Sequence, residues 1–403
     1  MRTQPRHKKA TEAAQRVLVM TTRYPLDHPG GVERVASALA QRLGARSQDW
    51  RVVHTAAYRG RARTAGVPLL GDLFAAVRLA TRTRGSNAVM VHGAEYAWAP
   101  MAVAKLTGRP CVVVWHGVRG LEALPPARSR LGVLAQWAFV EASDLLSRIA
   151  LYADATVVVS PSVAEEVRSR FGFRGELHVI PNGVEPVIDH LASSPFQEGT
   201  VRPPGNIMRR GGEEAVLRVI WIGTTPYKKG LDLALAACLQ ARLEGQELTL
   251  TVVGVTHEQA GLGAAPAAPW ISWPGRLSPA RVAASLSSHD VLLCPTRYEA
   301  CCMVVLEALA AGIPVVGSMV VGWQIGDAGE TIAGEEPASY SAALRRMADP
   351  ARRHKLATAA RFRAQEFTWE QATASYLEVL TDVTNSTKDG HLGEGITSRH
   401  MLE

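Results

Sequence analysis

Two carboxylates eight positions apart, Glu299 and Glu307, flank one helix start in the segment Pro295 to Ser318, PTRYEACCMVVLEALAAGIPVVGS. Asp290 to Cys294 reads as a buried strand and Val304 to Ala311 as a short helix, stopped by Gly312 and Pro314; IPVV then reads as a second buried strand. A unit of this kind opens its loop at the carboxyl edge of a parallel sheet, where open α/β sheets bind ligands. At the helix start the backbone N–H groups of Cys302, Met303 and Val304 favour an anion such as a diphosphate. A carboxylate repels that anion, so the glutamates suit another task, accepting hydrogen bonds from hydroxyls. A nucleotide sugar carries hydroxyls on both sides of its diphosphate.

Further residues of the same chemical kind stand at other strand ends. GTTPYKKG, Gly223 to Gly230, follows an apolar strand and delivers Lys228 and Lys229 just before a helix, a good place for diphosphate ligands because an ammonium can follow charge building on a leaving group. Near the N-terminus, Gly30 and Gly31 precede a helix opened by Val32 and Glu33, and paired glycines let backbone approach a ligand. His116 ends the strand CVVVWHG, and its neutral ring can donate or accept a hydrogen bond to a sugar hydroxyl. His92, in VMVHG, is a weaker candidate for the acceptor side, with Glu95 and Tyr96.

These residues are placed by an alternation of short buried strands with amphipathic helices, and it occurs twice. Residues 16–185 hold VLVMTT, WRVVHTA, AVMVHG, CVVVWHG, ATVVVS and LHVIPNG with helices between them; residues 215–365 hold LRVIWIG, LTLTVVG, WISWPG, DVLLCP and IPVVGS. Each half therefore reads as a doubly wound parallel sheet. A mobile basic arm is expected over 1–15, a Pro- and Gly-rich linker or loop over 186–214, a returning C-terminal helix over 366–384 and a disordered tail over 385–403. After Asp349 one helical stretch is expected to run through to Leu380.

Composition narrows the class. A chain of 403 residues suits two domains, and 47% hydrophobic with 20% charged residues is ordinary for soluble α/β cores. Net charge of +7 points to anionic partners without choosing among them. Five cysteines without C-x-x-C spacing suit a reduced, cytoplasmic protein; Cys301 and Cys302 read as structural. No run approaches ~18 apolar residues, and the basic start leads into polar sequence rather than a signal core. Twelve aspartates include no D-x-D pair, so lysines and helix ends, rather than an essential metal, are expected to neutralise phosphate.

With its flanking PT-x-YE-A and VVLEALAAGIPVV, the paired-Glu spacing resembles the signature of the retaining GT-B glycosyltransferases of family 4. IPNGVE resembles that family's interdomain junction and FTWEQATASYLEVL its terminal crossing helix. The resemblance implies a GT-B fold, two Rossmann-like doubly wound domains facing a cleft, the first holding the acceptor and the second the donor. It implies that Glu307 holds ribose hydroxyls, that Glu299 faces the donor sugar, that Gly30 and Gly31 lie by the diphosphate and sugar, and that His116 contacts the sugar. The family's Gly-Arg-x4-Lys-Gly pattern supplies Lys229, with Thr224 where the arginine is expected and Lys228 as its substitute.

Catalytic roles then fall to Glu299, Lys229 and His116. The implied reaction is metal-independent retaining transfer from a nucleoside-diphosphate sugar, with UDP or GDP first in line and no separate cofactor. The acceptor is a glycan, glycolipid or small-molecule hydroxyl rather than a nucleic acid. Arginine clusters at 59–63, 78–84 and 128–130 beside LGVLAQWAFVEASDLL suit peripheral contact with an anionic membrane. Two alternatives stay open: a non-catalytic GT-B-like nucleotide-binding or partner protein, and an inverting enzyme with Asp27 or His28 as base.

Overall fold

A computed structural model describes residues 16–22, 31–46, 50–56, 85–118, 127, 129–185, 216–261 and 268–388. The arm expected over 1–15, Gly30, Asp27, His28, the helix expected between WRVVHTA and AVMVHG, the segment 186–214 and residues 389–403 lie outside the described residues.

The first half comprises β1 (Arg16–Thr22), α1 (Gly31–Arg46), β2 (Trp50–Ala56), β3 (Ala88–His92), α2 (Trp98–Leu106), β4 (Cys111–Trp115), α3 (Arg130–Ala150), β5 (Ala155–Val158), α4 (Pro161–Phe171) and β6 (His178–Val179). Its six described strands are ordered β2-β1-β3-β4-β5-β6, all parallel. AVMVH of β3 and CVVVW of β4 are buried along their whole length, as β-branched runs covered on both faces must be. Trp115 lies against Phe171 of α4 with ring centroids 5.6 Å apart. Truncating so large a buried side chain costs about 3–5 kcal/mol.

The second half comprises β7 (Leu217–Ile222), α5 (Leu231–Leu243), β8 (Leu248–Val253), β9 (Ile271–Gly275), α6 (Pro279–Ser287), β10 (Val291–Cys294), α7 (Met303–Ala310), β11 (Val315–Ser318), α8 (Gly322–Ile325), β12 (Gly329–Ile332), α9 (Pro337–Arg346), α10 (Pro350–Ala364) and α11 (Trp369–Lys388). Its order is β12-β11-β10-β7-β8-β9, again parallel. Both sheets are doubly wound. Their switch points lie between β1 and β3 in the first and between β7 and β10 in the second, the places where such sheets take ligands.

One apolar core runs from the first sheet through α11 to α7. Val184 N–H donates to Phe367 O at 2.7 Å, and the Arg42 guanidinium of α1 lies 5.1 Å from the Trp369 ring centroid. A Cβ on Gly183 would stand 2.5 Å from the Trp369 backbone, so this crossing requires glycine.

Three details depart from the expected layout. The helical stretch after Asp349 is two helices, broken at 365–368, where the Thr368 hydroxyl caps the Gln371 N–H at 3.2 Å. Helix α11 continues to Lys388, so residues 385–388 are helical rather than part of a disordered tail. Strand β12 and helix α9 are additional; GETI of β12 is mostly polar, buries only Ile332 fully and sits at the sheet edge, so it carries no apolar run to betray it.

Candidate active site

Because β7 and β10 are neighbours at the switch point, the loops leaving their carboxyl ends converge. Thr296 Oγ1 and Arg297 N–H both donate to Lys228 O, at 3.0 and 2.9 Å. Gly230, at φ 64°, lies where a Cβ would be 1.9 Å from Pro295 O. Arg297 secures the junction by a two-pronged bond to Asp232, at 2.8 and 2.7 Å.

Inside this frame Lys229 Nζ is 2.6 Å from Glu299 Oε1 and Lys228 Nζ is 3.7 Å from the same oxygen. Burial opposes ionisation of Glu299, but Lys229 and Lys228 outweigh it and hold the carboxyl below its ordinary range. Burial likewise opposes the charge on Lys229; Cys302 and Glu299 outweigh it and raise the ammonium pKa. Two ammonium groups against one carboxylate leave local positive charge, suited to an anionic ligand. Lys229 Nζ also lies 3.6 Å from Cys302 Sγ. A hydrogen bond from Cys294 and the Lys229 charge lower the Cys302 thiol pKa below its ordinary value against the opposing effect of burial.

The expected anion seat at the start of α7 is narrower than the sequence suggests. Cys302 N–H already donates to Oε1 of the buried Gln324 at 2.8 Å, so it is not free for a phosphate. Among the described residues, the N–H groups of Met303 and Val304 have no acceptor. Glu307, one turn along, accepts a 2.7 Å ion pair from Arg34 of α1, which joins the two halves; the side chains are 21% and 47% exposed.

On the facing side, His92 and His116 end adjacent strands with their rings stacked, and His92 Nδ1 lies 2.9 Å from His116 Nε2. Burial lowers the His116 pKa to about 4. Burial, followed by the charges of His116 and His54, lowers that of His92 well below its ordinary value. Gly117 and Val118 come next. Val118 N–H donates to Tyr298 Oη at 2.7 Å, and the Tyr298 hydroxyl donates to Val118 O, so the Glu299 loop is bonded directly to the His116 loop. Gly31 opens α1 with open space about it.

The structure thus brings Lys228, Lys229, Glu299, Cys302, Met303, Val304 and Glu307 to one side of an interdomain site, with His116 joined to it through Tyr298. His92 belongs beneath His116 rather than on an acceptor surface: it is fully buried. Arg34, Tyr298 and Gln324 are participants that motif reasoning passes over. Tyr298, next to Glu299 in the chain, carries the only local hint among them. No grouping of three or more His, Cys, Asp or Glu side chains that could hold a metal occurs among the described residues.

Residues 29–187 match the family described as Glycosyltransferase Family 4, and residues 217–349 match Glycosyl transferases group 1. The glycogen synthase of Mycobacterium tuberculosis is 30% identical over 239 residues, 56% of this chain and 53% of its own length. The chain thus spans about half the length of such curated relatives. Among solved structures, sucrose-phosphate synthase from Thermosynechococcus elongatus superposes with a TM-score of 0.69 at 17% identity, over 92% of this chain and 100% of that one. HepE of Anabaena, solved with UDP and glucose, gives 0.62 at 15% identity, over 90% and 99%. Two doubly wound sheets arranged as in these structures are the GT-B fold, and the chain belongs to the GT-B glycosyltransferases of the group 1, family 4 type.

Proposed function

We propose that the protein is a retaining glycosyltransferase that moves a sugar from a nucleoside-diphosphate sugar, UDP or GDP first in line, to an acceptor hydroxyl held by the first domain. The observation that carries this is the Lys228–Lys229–Glu299 cluster, at the second sheet's switch point and bonded through Tyr298 to the loop that follows His116. Lys229, Lys228 and the N–H groups of Met303 and Val304 receive the diphosphate, Glu307 the ribose and Glu299 with His116 the sugar.

The reaction is a front-face displacement. The bond from the anomeric carbon to the phosphate oxygen breaks, the acceptor oxygen bonds to that carbon on the same face, and the acceptor proton passes to the departing phosphate. Lysines and helix N–H groups are preorganised where negative charge grows, which accounts for catalysis without a carboxylate nucleophile. The test is transfer with the donor that binds, followed by the anomeric configuration of the product. Retention supports the reading. Inversion removes the front-face mechanism, and binding without transfer or hydrolysis favours the non-catalytic alternative, to which Thr224 in place of arginine lends its weight.

The first domain's outer face supports an acceptor at an anionic membrane. Leu131, Leu134, Trp137 and Leu145 of α3 are 80, 62, 56 and 66% exposed. Residues 1–185 carry 25 Lys and Arg against 14 Asp and Glu, whereas residues 186–403 carry 19 against 23. An apolar helix face on the basic half suits an interface of anionic lipid. Sedimentation with anionic but not neutral vesicles is expected; sedimentation with neither rejects the membrane contact. No helix among the described residues is long and apolar enough to cross a membrane.

A further inference from the structure

The ring pair at the ends of β3 and β4 has a property that its position alone does not explain. His92 is 0% exposed, so nothing in the cleft can touch it, yet it spends one ring nitrogen on His116 and leaves the other, Nε2, buried without a partner among the described residues. Both rings are neutral, since burial disfavours their charged forms. A neutral pair sharing one hydrogen bond has two arrangements. In the first, His116 Nε2–H donates to His92 Nδ1. His92 must then carry its proton on Nε2, where a buried N–H points at no acceptor among the described residues. In the second, His92 Nδ1–H donates to His116 Nε2. His92 Nε2 is then a bare lone pair, and the His116 proton sits on Nδ1. An orphaned buried donor is the rarer and costlier defect of the two.

We infer that His92 is a positioning residue that locks His116 into the Nδ1–H tautomer, making His116 a hydrogen-bond donor to an oxygen in the cleft. The geometry supports that direction. His116 is half-buried, and no described residue bonds its Nδ1, so this nitrogen is the one left for a ligand. His92 is itself fixed by its strand: Val89 to His92 are in register with Cys111 to Val114, and Gly93 N–H donates to Val114 O at 2.9 Å. Beyond His92 in the same sheet, Thr22 Oγ1 at the end of β1 and His54 Nε2 near the end of β2 pair at 2.8 Å. The oxygen received by His116 is a donor-sugar oxygen under the function proposed above, and only that last assignment rests on it. The tautomer does not.

The test is long-range proton–nitrogen correlation spectroscopy on the ligand-free, full-length protein with nitrogen-15 histidine, assigned with His116→Gln. The expected spectrum shows His116 with Nδ1 protonated and Nε2 bare. In His92→Phe, which fills the space without offering a donor, His116 is expected to move to the Nε2–H form. His92→Asn, whose side-chain amide N–H stands near the position of Nδ1–H, should recover the wild-type pattern. In transfer assays His92→Phe should lower kcat/KM by tenfold or more, mainly through kcat, with recovery in His92→Asn. An Nε2–H tautomer of His116 in the wild type, or the same tautomer in wild type and His92→Phe, overturns the proposal. The spectrum needs no substrate, so a protein with the expected tautomer but no transfer activity would refute the functional reading and leave this inference standing.

Discussion

Lys229 keeps its charge in a place where burial opposes it, because Cys302 and Glu299 lie within hydrogen-bond reach. Removing the ammonium takes away the charge expected to meet the leaving group. Lys229→Ala is therefore predicted to lower kcat by about 10²–10³, the loss typical of a preorganised electrostatic donor. Lys228 remains 3.7 Å from Glu299, so the thermal midpoint should fall far less than activity. Unchanged turnover would remove the phosphate assignment.

His116 gives a prediction in pH. Its folded-state pKa is about 4 against an ordinary 6.5, so between those values the unfolded chain binds a proton that the folded chain does not. Stability is thus full above about pH 6.5 and is lost as pH falls towards 4, and burial of His92 acts in the same direction. Thermal midpoints measured across that window should slope less in His116→Gln than in the wild type; equal slopes would contradict the half-buried, neutral ring.

At this scale the sequence marks the charged residues well, because Glu299, Glu307, Lys228 and Lys229 sit in local motifs at strand ends. It does not show that Cys302 N–H is taken by Gln324, twenty-two positions away, or that Glu307 faces Arg34 across 273 positions. Those pairings depend on how elements meet.

The elements that meet at the cleft are held by few contacts, and each can be removed separately. Gly117 has φ 129° and lies where a Cβ would be 2.9 Å from Tyr298 Oη. Gly117→Ala therefore combines a strained backbone with a clash at the interdomain bond. A loss of about 1–3 kcal/mol is predicted, read by denaturant unfolding, and no loss would mean that the Tyr298 contact yields freely.

Arg34 of α1 occupies Glu307, the carboxylate expected to receive ribose. An exposed ion pair is worth about 0.2–1 kcal/mol, so Arg34→Ala should tighten nucleotide binding by up to about fivefold in calorimetry. Weaker binding would show instead that Arg34 assists the nucleotide. The elements themselves are legible where period and burial agree, as in β3, β4 and α7. The turn at 365–368 lies beside the expected start of the returning helix over 366–384, and Thr368 caps the following helix by accepting from Gln371 N–H at 3.2 Å.

In the whole molecule, two sheets share the same winding, and α11 returns from the second half to pack against α1. The doubly wound, two-sheet architecture is visible in the sequence because parallel strands covered on both faces must be apolar throughout. The polar edge strand β12 escapes for the converse reason. Charge is divided between the halves, with basic excess in residues 1–185 and slight acidic excess beyond, so the anionic-membrane contact proposed above is a property to test on the first half.

The central claim is that the cleft side built on β7, β10 and α7 is a nucleotide-sugar site. Thermal unfolding with UDP, GDP, ADP and dTDP, each alone and with its sugars attached, in the wild type and in Glu307→Ala, tests it most directly. Selective stabilisation of the wild type by one nucleotide, lost in the variant, is the predicted result. Failure of every nucleotide to shift the wild type would contradict it.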